Sequence, residues 1–454
     1  MKRSIVLAAV MAMLLLAACG TAATAPTAAP AQPTAVPATQ APAATAAPTQ
    51  PSAPVQITFW SWVPHLQDQV DEWNQAHPDI QVNYQNAGAG NAEYTKLNTA
   101  LQANSGIPDA VQIEYQFVPS YIAQGALLDL SSYGANDVKA SFVPWTWSQV
   151  SQGNGVYAIP QDAGPMVMFC NDAVLSQYNI TVPTTWDEFA KSAAALHQAA
   201  PKVYLSNFTA DQGWFFGMLW QSGAQPFQVN GENITINFTS AEATRVATLW
   251  GDMIKAGVLS PLDTYTDDWN TAIGNGSIAC WQAGAWGTYI SSYGPTFSGK
   301  WQVYLMPQWT AGGATNGNYG GSTDAVMKAS THPKEAAEFL EWLNTDPKPT
   351  LELTNPDKAG LFPVTLATLN NTQWSAVPYD YWSGQAIHQV MAQAAQQVNP
   401  NFGWSPFTSF VYSTYADDLT QVRAGKMTFE QLMQDLQSKS VDYAKQQGFT
   451  VATP

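Results

Sequence analysis

From about residue 55 onward, short runs of alternating or continuous apolar character are separated by longer runs with a helical period. The strand pattern falls on 56–60, 80–84, 110–113, 156–159, 166–169, 277–281 and 301–305. Helix starts are marked more sharply. Thr185-Trp186-Asp187-Glu188 reads as a capping box opening a helix to about residue 200, because a Thr hydroxyl and a Glu carboxylate three residues on can satisfy each other's backbone donors. Thr239-Ser240-Ala241-Glu242 opens another, with Val246, Leu249, Trp250, Met253 and Ile254 on one face and Gly257 as its stop. Pro333 sits in the first turn of a helix through Ala337, Leu340 and Leu343, and Thr428-Phe429-Glu430-Gln431 opens a last one ending near Gly448. Trp250 and Trp342 fall on the apolar faces of these helices and are expected in the core. Strands alternating with helices predict an α/β fold with mostly parallel strand pairing.

Before residue 55 the pattern is of another kind. Met1-Lys2-Arg3 and the apolar run 5–18 have the charged start and apolar middle of a secretory signal, here residues 1–18, too short to span a bilayer. No later stretch approaches about 18 uncharged apolar residues, so no transmembrane helix is expected. Leu16-Ala17-Ala18-Cys19-Gly20 resembles the bacterial lipobox, which makes Cys19 the candidate lipidation site. Ala, Pro and Thr then fill 29 of the 35 residues from 20 to 54, without a charge. Such a segment cannot bury enough apolar surface to offset its ordering entropy, so 19–54 reads as a lipidated cysteine and an extended tether.

Composition narrows the function. The 454 residues carry a formal charge of −16 and only three Arg (Arg3, Arg245, Arg423), which leaves little to neutralise phosphates and excludes a nucleic-acid partner. All 18 Trp lie after residue 54. Indole combines flat apolar surface with one N–H donor, so it suits cores and binding clefts alike. Cys170 and Cys280 both end or sit in apolar strand patterns of an exported chain; two reduced core thiols are expected, with a disulfide as the alternative. There is no Gly-x-Ser-x-Gly, no His-Glu-x-x-His, no phosphate loop and no Gly-x-Gly-x-x-Gly, and the five His are scattered without ligand spacing. Neither a catalytic triad nor a metal or other cofactor is expected. A glycosidase needs only two carboxylates and stays open as a rival.

One series of segments runs through nearly all of the folded region. Ile57-Thr58-Phe59-Trp60-Ser61-Trp62, His77-Pro78-Asp79-Ile80, Gly106-Ile107-Pro108-Asp109-Ala110, Gly125-Ala126-Leu127-Leu128-Asp129-Leu130, Val156-Tyr157-Ala158-Ile159-Pro160, Pro183-Thr184-Thr185-Trp186, Gly284-Ala285-Trp286, Gly320-Gly321 and Lys334-Glu335-Ala336-Ala337 follow one another in order. This order resembles the extracellular solute-binding proteins of bacterial ABC importers, in the carbohydrate class that includes maltose-binding protein. It departs at Cys170-Asn171, where that family commonly has Tyr-Asn, and at Thr365, where an Arg often follows Phe-Pro-Val. The resemblance implies a two-lobe α/β fold of the periplasmic-binding-protein type II kind, with a hinge and a ligand cleft between the lobes. It puts lobe 1 at 55–161 plus 308–356, lobe 2 at 162–307 plus 357–454, and hinge crossings near 161–165 and 304–308.

Ligands of open α/β sheets sit beyond the carboxyl ends of strands. That rule selects Trp62 and His65 after the first strand, Glu114, Tyr115 and Gln116 after the third, and Asp162 at the first crossing. The resemblance adds Trp286, the Gly320-Gly321-Ser322 corner, and Trp404 or Tyr412; Trp214, Trp281 and Trp382, each within three residues of a Gly or an acid, complete the candidates. Indole faces stack on the C–H faces of a sugar ring, while carboxylates and amides accept and donate to its hydroxyls. The implied function is capture of a neutral mono- or oligosaccharide by a lipid-anchored monomer that delivers it to a membrane permease, with no covalent chemistry. The same acids and indoles would also suit a polyol, or a polyamine or quaternary amine through cation–π contacts. A surface lectin, whose site would be static, is a further reading.

Overall fold

A computed structural model of the chain describes residues 53–356 and 358–452. The expected signal, Cys19 and nearly all of the tether lie outside them. Two sheets organise the described part. The first has five strands in the order Ile80–Gln85, Val55–Trp60, Ala110–Glu114, Ser322–Val326, Ile159–Pro160. The second has Met166–Asn171 at its centre, flanked by Cys280–Gly284 and Trp301–Leu305. A small third sheet joins the hairpin Phe227–Asn230 and Asn233–Ile236 to the C-terminal strand Thr450–Ala452.

The pairing corrects the expectation of mostly parallel strands. Val55–Trp60 is parallel to both its neighbours, yet Ser322–Val326 is antiparallel to both of its own, and the second sheet is antiparallel throughout. Alternation of strand and helix implies parallel pairing only when successive strands enter the same sheet through a crossover. Here the chain leaves the first sheet after Pro160, builds the second, and re-enters the first at Ser322 in the opposite direction.

Locally, the helix signals are realised. Thr185 Oγ1 accepts from the Glu188 amide at 3.2 Å and Glu188 Oε2 accepts from the Thr185 amide at 3.2 Å, starting Trp186–Ala199. Ser240 caps Ala241–Lys255, Pro333 opens Pro333–Thr345, and Thr428 with Gln431 boxes Phe429–Gln446. Trp250 is fully buried, and Trp342 is half-buried with its ring 5.3 Å from that of Trp73. The strand expected at 277–281 starts later, at Cys280, because the Ile278 and Ala279 amides are bonded to Ala272 O and Tyr204 O instead of to the second sheet.

Cys170 and Cys280 lie directly opposite one another on adjacent antiparallel strands and form a disulfide, which corrects the expectation of two reduced thiols. Their 110-residue separation hides a register that only the sheet reveals. Much of the Trp excess is core: Trp73, Trp186, Trp220, Trp250, Trp269, Trp281 and Trp301 are all fully buried.

Three segments run side by side where the two larger sheets meet. The Gly164 amide donates to Asn318 Oδ1 at 2.8 Å, the Tyr319 amide to Gly164 O at 2.8 Å, and the Ala163 amide to Phe362 O at 3.1 Å. Tyr304 and Leu305 belong to the second sheet, and the stretches that lie against Asp162–Pro165 are 318–322 and 362–363.

Candidate functional site

At the carboxyl end of Ala110–Glu114 the chain turns into Tyr115–Phe117, and a cavity of about 240 Å³ opens there. Glu114 and Gln116 line it from the first sheet. Asp211 and Gln212 line it from the start of the helix Gln212–Ser222, Tyr319 and Gly320 from the crossing segment, and Trp404 and Tyr412 from the C-terminal part. Asn91 and Phe117 close one side.

Two carboxylates face this space, each held from behind. Tyr94 Oη donates to Glu114 Oε2 at 3.0 Å and accepts from the Glu114 amide at 3.0 Å. Burial pushes the Glu114 carboxyl above the usual carboxylate range, hydrogen bonds from Tyr94 and Gln116 oppose this, and the charge of Asp211 adds to the rise. Asp211 caps its helix by accepting from the Trp214 amide at 3.0 Å and also accepts from the Tyr319 hydroxyl. Its carboxyl is likewise raised, mainly by burial. Tyr319 Oη is in turn 2.6 Å from Tyr265 Oη. Arg423 is engaged by Asp263 at 2.7 and 2.8 Å. No Lys or Arg is among the residues lining the cavity.

The remaining chemistry is aromatic and hydroxyl-seeking. Trp404 Nε1 and Tyr412 Oη are buried without a hydrogen-bond partner among the described residues. A buried donor left unpaired is costly, and both atoms are closed off from the cavity, so either would meet a ligand only after its side chain turns. A cavity with two carboxylate acceptors, an amide and several rings matches the rim and faces of a sugar.

Of the sequence candidates, Glu114, Gln116, Trp404 and Tyr412 meet in this cavity, with Gly320. Trp62 stands one residue back: its half-exposed ring packs edge-on to Tyr94 at 6.1 Å, the side chain that holds Glu114. Trp286 donates its indole N–H to Tyr319 O at 2.7 Å and so supports the cavity wall from behind. Tyr115 is fully buried against Trp145, and the Gly321 left-handed turn (φ 89°) lies against it. Asp162 Oδ1 accepts from the Ser322 amide at 2.6 Å, so both belong to the crossing and not to the lining. Trp214 packs on Trp250 at 4.7 Å, and Trp281 and Trp382 both pack on Phe169 in the second sheet. His65 is exposed with φ 60°.

Sequence reasoning missed Asp211, Tyr319 and Asn91. Asp211 carried a readable signal, an Asp ahead of an apolar helix, that was available as an N-cap. Tyr319 is one residue before the Gly320-Gly321 corner.

The profile of the bacterial extracellular solute-binding protein family matches residues 60–348. The chain belongs to that family. Curated relatives of this solute-binding protein include the arabinooligosaccharide-binding protein of Halalkalibacterium halodurans, 24% identical over 308 residues, covering 64% of this chain and 68% of the relative. The lactose-binding protein of Rhizobium radiobacter is 23% identical over 371 residues, covering 78% and 85%. Among solved structures, the ABC transporter associated binding protein from B. animalis subsp. lactis Bl-04, in complex with β-1,6-galactobiose, is 30% identical with a TM-score of 0.76, covering 88% of this chain and 99% of that one. The galacto-N-biose-/lacto-N-biose I-binding protein from Bifidobacterium longum, in complex with lacto-N-biose, is 28% identical with a TM-score of 0.78, covering 89% and 100%. These relatives are binding proteins, and the solute-binding protein described here shares their two-lobe α/β fold. Membership in an extracellular family puts its folded part outside the cytoplasm, where a disulfide persists. Among the described residues no helix is long and apolar enough to cross a membrane.

The crossing of this solute-binding protein is packed to backbone contact. A Cβ at Gly164 would press on the Tyr319 carbonyl oxygen and lie 2.7 Å from Trp286 Nε1. Gly164→Ala should therefore lower stability by about 1–3 kcal/mol, the usual cost of overpacking, because backbone must move. It should also weaken ligand binding by shifting Tyr319. Urea unfolding reads the first effect; an unchanged midpoint would show that the crossing yields freely.

Proposed function

We propose that this protein is the sugar-capturing component of an ABC importer, binding a neutral oligosaccharide by closure of its two lobes and passing it unaltered to a membrane permease. The observation that carries the proposal is the pair Glu114 and Asp211, which line one cavity together with the rings of Phe117, Tyr319, Trp404 and Tyr412 and with no cation in the lining. Hydroxyl donors offset the desolvation of two such carboxylates without adding charge. The relatives support the class: two are complexes with β-1,6-galactobiose and lacto-N-biose, and two are a lactose-binding and an arabinooligosaccharide-binding protein.

The lobes are taken as 55–161 plus 308–356 and 162–307 plus 357–454, consistent with the membership of the two larger sheets. The protein acts as a monomer, held at the outer face of the cell membrane through lipid on Cys19 and the Ala/Pro/Thr tether, after removal of residues 1–18. Closure is a population shift driven by contacts made better in the closed form.

Titration of intrinsic Trp fluorescence with β-1,6-galactobiose, lacto-N-biose, lactose, arabino-oligosaccharides, a polyol and spermidine tests the class. A saturable change with a saccharide, and intact sugar on recovery, is expected. Saturation by spermidine alone would replace the sugar with a cation; cleaved sugar would make the protein an enzyme.

A further inference from the structure

Tyr265 has φ 71°, in the left-handed region. Glycine and asparagine enter that region readily, but a bulky side chain there is strained and persists only where its surroundings over-determine it. Packing of its own ring is a weak cause, since Tyr265 is 45% exposed. Nor does the next helix, Asp267–Asn275, need it: Thr266 caps that helix by accepting from the Trp269 amide at 3.3 Å.

What holds the segment is a row of three successive side chains. Asp263 Oδ1 accepts from the Ala210 amide at 2.7 Å, the hydroxyls of Thr264 and Thr209 are 2.7 Å apart, and Tyr265 Oη is 2.6 Å from Tyr319 Oη. Tyr319 gives its proton to Asp211, so in the pair of phenols Tyr265 is the donor and Tyr319 the acceptor. Two hydroxyls thus donate in series toward one carboxylate. Each bond in such a chain polarises the next, which strengthens the one that ends on Asp211 and favours its charged form. Asp211 and Tyr319 line the cavity, whereas Tyr265 is not among the lining residues.

We propose that Tyr265 is a positioning residue of the saccharide site, its strained backbone holding the phenol on Tyr319 so that Tyr319 in turn fixes the aim and charge of Asp211. The inference rests on the sugar reading and adds to it a residue outside the cavity lining. Strain at residue 265 lowers stability, and the site gains a fixed acceptor from it.

The test is calorimetry beside thermal unfolding, with β-1,6-galactobiose or, if that disaccharide is not bound, with whichever saccharide saturates the fluorescence signal. Tyr265→Phe keeps the ring and the strain and removes the donor; it should weaken binding roughly three- to tenfold, the usual effect of losing one hydrogen bond. In an Asp211→Asn background the same change should alter affinity by less than about twofold, because the group it acts through is already neutral. Tyr265→Asn accepts the left-handed backbone with less strain. It should weaken binding at least as much as Tyr265→Phe, yet unfold at a temperature no lower than the wild type. Wild-type affinity in Tyr265→Phe would overturn the inference while leaving sugar binding intact. So would an equal loss in the Asp211→Asn background, which would mean that Tyr265 touches the sugar itself. A lower unfolding temperature in Tyr265→Asn would overturn it too, since the residue would then serve the fold. No binding of any saccharide would overturn the sugar reading, and this inference with it.

Discussion

At pH 8 the protein should unfold at a lower temperature than at pH 5, and Glu93→Gln should remove much of the difference. Glu93 sits on the helix Asn91–Ala103, fully buried, with neither carboxylate oxygen hydrogen-bonded. Burial, then the charge of Asp324, pushes its carboxyl from 4.5 up to about 8, against the opposing pull of Lys96. Burial likewise raises Asp324 and Asp162 from 3.8 to about 7, although Gln161 and Asn344 donate to Asp324 and the Ser322 amide to Asp162. The sign follows from proton binding. Between about pH 4 and 8 the folded chain holds protons on these groups that the unfolded chain has released, so stability falls as pH rises through that window. Carboxylates lowered by partners, such as Asp263 beside Arg423, titrate below it and do not compensate. One pKa unit corresponds to about 1.4 kcal/mol, so the Glu93 share is on the order of several kcal/mol at pH 8. Thermal unfolding of wild type and Glu93→Gln at both pH values is the measurement. Equal melting temperatures for the wild type, or an unaltered difference in the variant, would refute it.

Glu114→Gln and Asp211→Asn should each weaken saccharide binding by roughly 10- to 100-fold, the worth of a charge-assisted hydrogen bond in a water-poor site. Each keeps the shape of the side chain and removes one of two like charges that repel across the cavity, so folding should be little affected. Asp211→Asn also leaves a side-chain oxygen to cap Gln212–Ser222. Trp382→Phe provides the contrast. That indole packs on Phe169 away from the cavity, and its change should lower stability while affinity for the same sugar is retained. Calorimetry beside urea unfolding separates the two effects. Wild-type affinity in both acid variants would move the site elsewhere.

The site was partly legible because one physical rule reaches it from sequence. Residues just beyond a strand's carboxyl end are placed by the strand itself, and Glu114 and Gln116 follow from the apolar run before them. Trp residues were less readable, since indole serves a core and a cleft equally well. Trp214, Trp281 and Trp382 went to packing, whereas Trp404 borders the cavity. Asp211 and Tyr319 reach Glu114 only through the packing of segments about one hundred and two hundred residues away from it in the chain.

What the sequence by itself determined is therefore the local part. The capping boxes at Thr185 and Thr428, the helix stop at Gly257 and the first three strands depend on neighbours within a few residues, and they form as the pattern requires. Strand direction, the Cys170–Cys280 pairing and the meeting of Glu114 with Asp211 were decided only by the tertiary structure. Each is a matter of register between segments far apart in the chain. Local periodicity says which face of a segment is buried, but only the packing of whole sheets says which other segment it is buried against.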